Sequence, residues 1–296
     1  QYHLLVPSHL HCLAAMCMGG LDWDDLEEKE AQAACKPGGG APEPAELPPL
    51  TVLSWCGRTP PLPCTAGAEG SARHGRLCEA VASAGAELIC LQGYQGFEQD
   101  WLTDLYDSKL SALGFEHEEK PDTPRSQEGV AVLWRSGSLR VSLKGELGAH
   151  GSPKDKASLL LVLRDTRASE YGPRVALVCA QFEGARRAEQ LRELLAAMTT
   201  NLAHISSVPV MLCASLGGPL DDEMGRLIQD FGFVSVWESL HGQEADPSAE
   251  SCIWVRGRLR PESLVLLPRE GHAPEPWLEL SNHRPLLSTF RWPEGS

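Results

Sequence analysis

Beyond Leu50, short apolar runs alternate with segments whose apolar residues recur at helical spacing. The runs predict strands at Thr51–Ser54, Glu87–Leu91, Gly129–Arg135, Leu139–Leu143, Ser158–Arg164, Arg174–Ala180, Pro209–Cys213, Cys252–Val255, Ser263–Leu267 and Leu286–Arg291. Leu191, Leu194, Leu195 and Met198, and then Met224, Leu227, Ile228 and Phe231, repeat as the buried stripe of a helix does. Asp221 and Asp222 suit the positive first turn of the second helix. Between Gly129 and Leu163 strand follows strand with no helix, which excludes a purely doubly wound sheet. The pattern predicts an α/β domain over 50–296, with two stacked mixed β-sheets flanked by helices.

Residues 1–49 break this rhythm. An apolar, histidine-containing stretch through Gly20 leads into the acidic LDWDDLEEKE and then KPGGGAPEPAELPP, whose prolines and glycines forbid regular structure. The segment reads as an N-terminal arm and linker. Its Leu4, Leu5, Val6, Leu10, Leu13, Met16 and Met18 need a surface to cover, so the arm is expected to dock on a protein partner. His9, His11, Cys12 and Cys17 fit no zinc spacing and read as packing residues.

Charge narrows the function classes. The 40 acidic and 26 basic residues among 296 give a net charge of −14, and no lysine or arginine cluster is visible along the chain. Nucleic acid is an unlikely partner on that balance. No apolar run approaches the roughly 20 residues of a membrane-spanning helix. The ten cysteines lack paired metal-site spacing, and Cys90, Cys179 and Cys213 sit inside apolar strands as buried free thiols. A reducing, intracellular compartment is expected. The chain starts at Gln1 instead of methionine, which keeps a processed protein of a plastid or mitochondrion open.

LTVLSWC, AELICLQGYQGFEQDWLTDL, EGVAVLWR, ALVCAQF, PVMLCASLGGP, SCIWV and LSNHRPLLSTF follow one another in an order that resembles the endonuclease/exonuclease/phosphatase family, in its nocturnin, angel and carbon-catabolite-repression deadenylase branch. Phe97 and Trp101 extend the match into the helix after the second segment. The resemblance covers nearly everything after Leu50 and implies a four-layer α/β sandwich. It also implies phosphoester hydrolysis, with carboxylates holding magnesium and a histidine–aspartate pair moving protons.

At the positions that the resemblance marks for chemistry, the residue types differ. Cys56 stands for the first-strand asparagine and Gly93 for the metal-binding glutamate. Gln181 replaces a phosphate-contacting histidine, and Ser215 and Gly217 replace the aspartate and asparagine of Gly-Asp-Phe-Asn. Ser251 and Asn282 replace two further aspartates, so only His283 keeps the family's residue. Glu98, Asp221 and Asp222 lie close in sequence, but their helix-start positions are explained by capping. The Gly217-Gly218 pair lacks the lysine and hydroxyl of a phosphate loop, and no GxSxG or HExxH motif occurs. Trp134, Trp237, Trp254 and Trp292 read as strand-borne core, and Trp55 as a cleft residue.

The expectation from these departures is a catalytically inactive pseudoenzyme. It would bind no metal or other cofactor and act as a structural or interaction subunit of a larger protein assembly. The alternatives are a divergent magnesium-dependent phosphodiesterase or deadenylase with relocated ligands, and a nucleotide- or RNA-binding module that does not cut.

Overall fold

The structure, a computed structural model, describes residues 47–57, 68–94, 107–121, 128–147, 157–167, 169–218, 220, 222–242, 251–268, 277, 281 and 283–293. The arm and most of the linker, with His9, His11, Cys12 and Cys17, lie outside the described residues, as do Phe97, Glu98, Trp101, Asp221 and Asn282.

Two six-stranded mixed sheets stack face to face. The first has the order β11 (Arg260–Leu266), β12 (Leu286–Arg291), β1 (Leu50–Cys56), β2 (Leu88–Tyr94), β4 (Gly129–Arg135), β3 (Phe115–Pro121). The second runs β5 (Leu139–Glu146), β6 (Ser158–Asp165), β7 (Arg174–Gln181), β8 (Val210–Ser215), β10 (Ser251–Arg256), β9 (Val234–Ser235). Each sheet holds one parallel pair joined by a crossover helix, as parallel strands require. Helix α1 (Ala68–Ser83) connects β1 to β2, and α2 (Arg187–Asn201) connects β7 to β8. Helices α3 (Asp222–Asp230) and α4 (Val236–His241) follow β8.

Alternation along each strand separates three apolar layers. Val52, Leu88, Cys90, Val132, Leu161, Leu177, Cys179 and Met211 meet between the sheets. Leu160, Val162, Val178 and Leu212 face outward under the Leu191, Leu194, Leu195 and Met198 stripe of α2, and Met224 and Ile228 of α3 join them. Leu53, Ile89 and Leu133 cover the outer face of the first sheet against Cys78 and Val81 of α1. Cys56, Cys78, Cys90, Cys179, Cys213 and Cys252 are free and buried. Burial and the neighbouring Cys179 and Cys213 thiols push the Cys90 thiol well above its ordinary value.

All ten predicted strands are present, most of them longer by one to three residues at an end. The pattern misses β3 and β9. Both are edge strands, and in FEHEEKP only Phe115 is buried, because charge on an edge discourages pairing with another chain. Helix α1 carries glycine and little apolar surface, which hides its period. Trp134, Trp254 and Trp292 are buried as expected, whereas Trp237 sits on α4 instead of a strand.

No cluster of basic residues is visible along the chain, but strand register brings three arginines side by side. Arg140 on β5 stands opposite Arg164 on β6, and Arg164 stands opposite Arg174 on β7. Strand pairing thus assembles a row of cations that no stretch of sequence displays. Among the described residues, no helix is long and apolar enough to cross a membrane.

Candidate functional site at the strand ends

The ends of the two parallel pairs meet at one pole of the sandwich. Cys56 is in register with Gln92, and Gln181 with Ser215, which in turn pairs with Ser251. The link between sheets is short: the Gly93 N–H donates to Gln181 Oε1 at 2.6 Å. Gly93 has φ +64°, a left-handed backbone that a side chain resists, and this turn aims its N–H at Gln181.

Gln181 belongs to a longer chain of hydrogen bonds through peptide units. The His283 N–H donates to Ser281 Oγ at 3.0 Å, and Ser281 Oγ donates to the Cys56 carbonyl at 2.7 Å. The same peptide unit offers the Gly57 N–H to the Gln92 carbonyl at 2.8 Å. The next unit is Gln92–Gly93, and beyond it Gln181 Nε2 reaches Glu183 Oε1 at 3.5 Å. Each donor polarises the next, so the relay stiffens both sheets at this pole. It runs from the main-chain N–H of His283, shortly before β12, to the Glu183 carboxylate just past β7.

Other contacts fix the frame. Trp55 is fully buried and donates Nε1–H to the His283 carbonyl at 2.8 Å, with its ring edge-on to Trp277 at 5.1 Å. Trp55 therefore holds the histidine's backbone from within the core. Gln92, also fully buried, directs Nε2 to Ser54 Oγ at 3.3 Å and to Cys179 Sγ at 3.6 Å. The Ser215 carbonyl accepts from the Phe182 N–H at 2.8 Å. Gly217 has φ +62°, and a Cβ there would lie 2.5 Å from the Phe182 carbonyl oxygen, so only glycine lets this turn close. Glu119, on the neighbouring edge strand, has a carboxyl raised by burial, partly offset by the Tyr94 hydroxyl and His117.

The structure thus brings together Cys56, Gly93, Gln181, Ser215, Gly217, Ser251 and His283, and Asn282 lies outside the described residues. Sequence reading overlooks Gln92, Glu183 and Ser281. A signal existed for Gln92, an uncharged polar residue inside the apolar run LICLQGY. Glu183 and Ser281 gain their roles only through the partners that folding gives them.

The described strand-end residues do not fit magnesium, which wants several hard oxygens in octahedral array. Among the described residues no group of three or more histidine, cysteine, aspartate or glutamate side chains is placed to hold a metal ion. Gly93 offers no side chain, and the amide and carboxylate of Gln181 and Glu183 are turned toward each other.

No family model matches the chain, and no curated protein matches it. Solved structures do. The human nocturnin catalytic domain with bound sulfate superposes with a TM-score of 0.65 at 17% identity, covering 84% of this chain and 97% of that one. The chain has the endonuclease/exonuclease/phosphatase fold. A protein of that family from Bacteroides thetaiotaomicron gives 0.61 at 13% identity, over 83% of this chain and 99% of its own. ANGEL2, described as a 2′,3′-cyclic phosphatase in complex with adenosine-2′,3′-vanadate, gives 0.59 at 14% identity, over 82% and 95%. These matches correct the expectation of a non-enzyme. The structures that share this fold include a catalytic domain and a phosphatase, so the fold gives no ground for calling the chain a non-enzyme.

Proposed function

We propose that this chain is a divergent phosphoester hydrolase that works without a metal at its strand ends. The observation that supports this most is that His283, whose main chain is held by Ser281 and Trp55, and Glu183, held by Gln181, stand at the same pole of the sandwich. An imidazole and a carboxylate suffice for general acid–base catalysis, typically worth about 10²–10⁴-fold. That factor is small beside what an ordinary phosphate ester needs, so the substrate must bring its own activation. Strained cyclic phosphodiesters do, and ANGEL2 is named for acting on one. In the reaction a water attacks phosphorus, Glu183 takes its proton, and the ring P–O bond breaks. His283 donates a proton to the leaving oxygen.

Adenosine 2′,3′-cyclic phosphate, incubated with the full chain and excess chelator, tests this. Slow turnover that survives chelation and falls about 100-fold in both Glu183→Gln and His283→Ala is expected. No turnover, or turnover that chelation abolishes, contradicts it.

A second reading is a subunit of a protein assembly with the N-terminal arm as docking element, in a reducing compartment. It is supported by Gln181, which is bonded through both its amide oxygen and nitrogen. Deleting residues 1–20 should then release the chain from its native complex, read by sedimentation. An unchanged sedimentation profile would remove the arm's role.

A further inference from the structure

Glu183 is held from three elements at once. From α2, Gln190 Oε1 accepts the Glu183 N–H at 3.1 Å, across seven residues of chain. From the turn after β8, Gly217 comes so close that a Cβ there would lie 3.2 Å from Glu183 Cα. From the end of β7, Gln181 Nε2 reaches the carboxylate at 3.5 Å. The first two contacts fix the main chain and the third fixes the side chain.

Helix capping does not account for this arrangement. Glu183 has extended backbone, φ −151° and ψ 151°, and stands at the N-cap of the 3₁₀ turn Gly184–Arg186 that leads into α2. In a capping box the N-cap side chain bonds a helix N–H while a glutamine or glutamate further on takes the N-cap N–H. Only the second half is present here. Gln190 takes the Glu183 N–H, but the Glu183 side chain makes no capping bond and turns to Gln181 instead. A carboxylate at a helix start is ordinarily spent on those N–H groups. This one is anchored through its main chain and kept out of the cap. The anchor is itself fixed, since Leu191, the next residue of α2, is fully buried in the outer layer of the second sheet.

We propose that Gln190 is a positioning residue for the strand-end chemistry: by holding the Glu183 main chain it sets where the carboxylate meets the attacking water. This role rests on the hydrolytic reading, since it acts through Glu183. A glutamate reaches its target through several rotatable bonds, so an error in the main chain is carried to the carboxylate, and a misplacement of about 1 Å can cost about 100-fold in rate.

Turnover of adenosine 2′,3′-cyclic phosphate by the full chain in excess chelator, with kcat and KM separated, tests the role. Gln190→Leu keeps the side chain's bulk and helix propensity but loses the acceptor, so kcat should fall about tenfold or more with KM within about twofold of wild type. Gln190→Glu, which keeps both the reach and an acceptor oxygen, should restore kcat to within about threefold. In a Glu183→Gln background Gln190→Leu should cost nothing further, because the group it positions is gone. Arg192→Gln removes the exposed contact of α2 with Glu223 and should leave kcat unchanged, separating a loosened helix from a misplaced carboxylate. Turnover that Glu183→Gln lowers but Gln190→Leu leaves intact overturns this inference alone. So does a Gln190→Leu loss that persists in the Glu183→Gln background or that Gln190→Glu does not restore. Absence of wild-type turnover, or turnover indifferent to Glu183→Gln, overturns the hydrolytic reading and this role with it.

Discussion

The two poles of the sandwich solve the problem of buried polar groups in opposite ways. At the strand-end pole, neutral amides, hydroxyls and peptide units satisfy one another from Ser281 through Gln181, and a carboxylate enters only at Glu183. At the opposite pole, charge is met with charge. Asp165 is fully buried and receives Arg167 Nη2 at 2.5 Å, while Arg167 Nη1 reaches Glu87 at 2.6 Å and the Pro49 carbonyl at 3.1 Å. Glu87 in turn accepts the Thr51 N–H at 2.8 Å. The guanidinium thus ties the entry to β1, the approach to β2 and the end of β6 together. A neutral relay can be loosened one bond at a time, whereas removing one member of an ion cluster strands the others.

That contrast orders the expected effects. Arg167→Ala leaves Asp165 buried and uncompensated, and should cost about 3–5 kcal/mol in urea unfolding. A cost below about 1 kcal/mol would show that water reaches the cluster and that the poles do not differ as described. Gln181→Leu removes the acceptor of the Gly93 N–H while keeping bulk, and should cost about 1–3 kcal/mol by the same measurement. A value matching that of Arg167→Ala would erase the contrast.

How much of this was legible in the sequence depends on what each feature needs. The central strands were readable because apolar runs such as Leu159–Leu163 have one reading in a layered domain. The strand-end residues were located through order along the chain, and the structure gathers those it describes at one pole. Their bonding was not legible, since the Gly93–Gln181 bond spans residues from different sheets and depends on a positive φ at Gly93. Nor was the arginine row, which exists only through the register of β5, β6 and β7. The non-enzyme expectation failed for a related reason: it read chemistry from residue types at matched positions, without the folded arrangement or the class of proteins that share it.

The smaller effects sharpen the comparison. Glu119 gives a sign without a size. Its folded carboxyl is raised above its unfolded value, so between the two the unfolded chain holds fewer protons, and stability falls as pH rises through that window. Glu119→Gln should flatten that decline in a thermal-unfolding series across pH; an undiminished slope would assign it to another group.

The proposed pairing of His283 with Glu183 is tested most directly by a double-mutant cycle on turnover of adenosine 2′,3′-cyclic phosphate in excess chelator. Wild type, Glu183→Gln, His283→Ala and the double variant are compared by kcat/KM. If the imidazole and the carboxylate act together in one turnover, the double variant is no slower than the slower single variant, the losses being strongly non-additive. Losses that multiply, or a Glu183→Gln rate equal to wild type, would contradict the account.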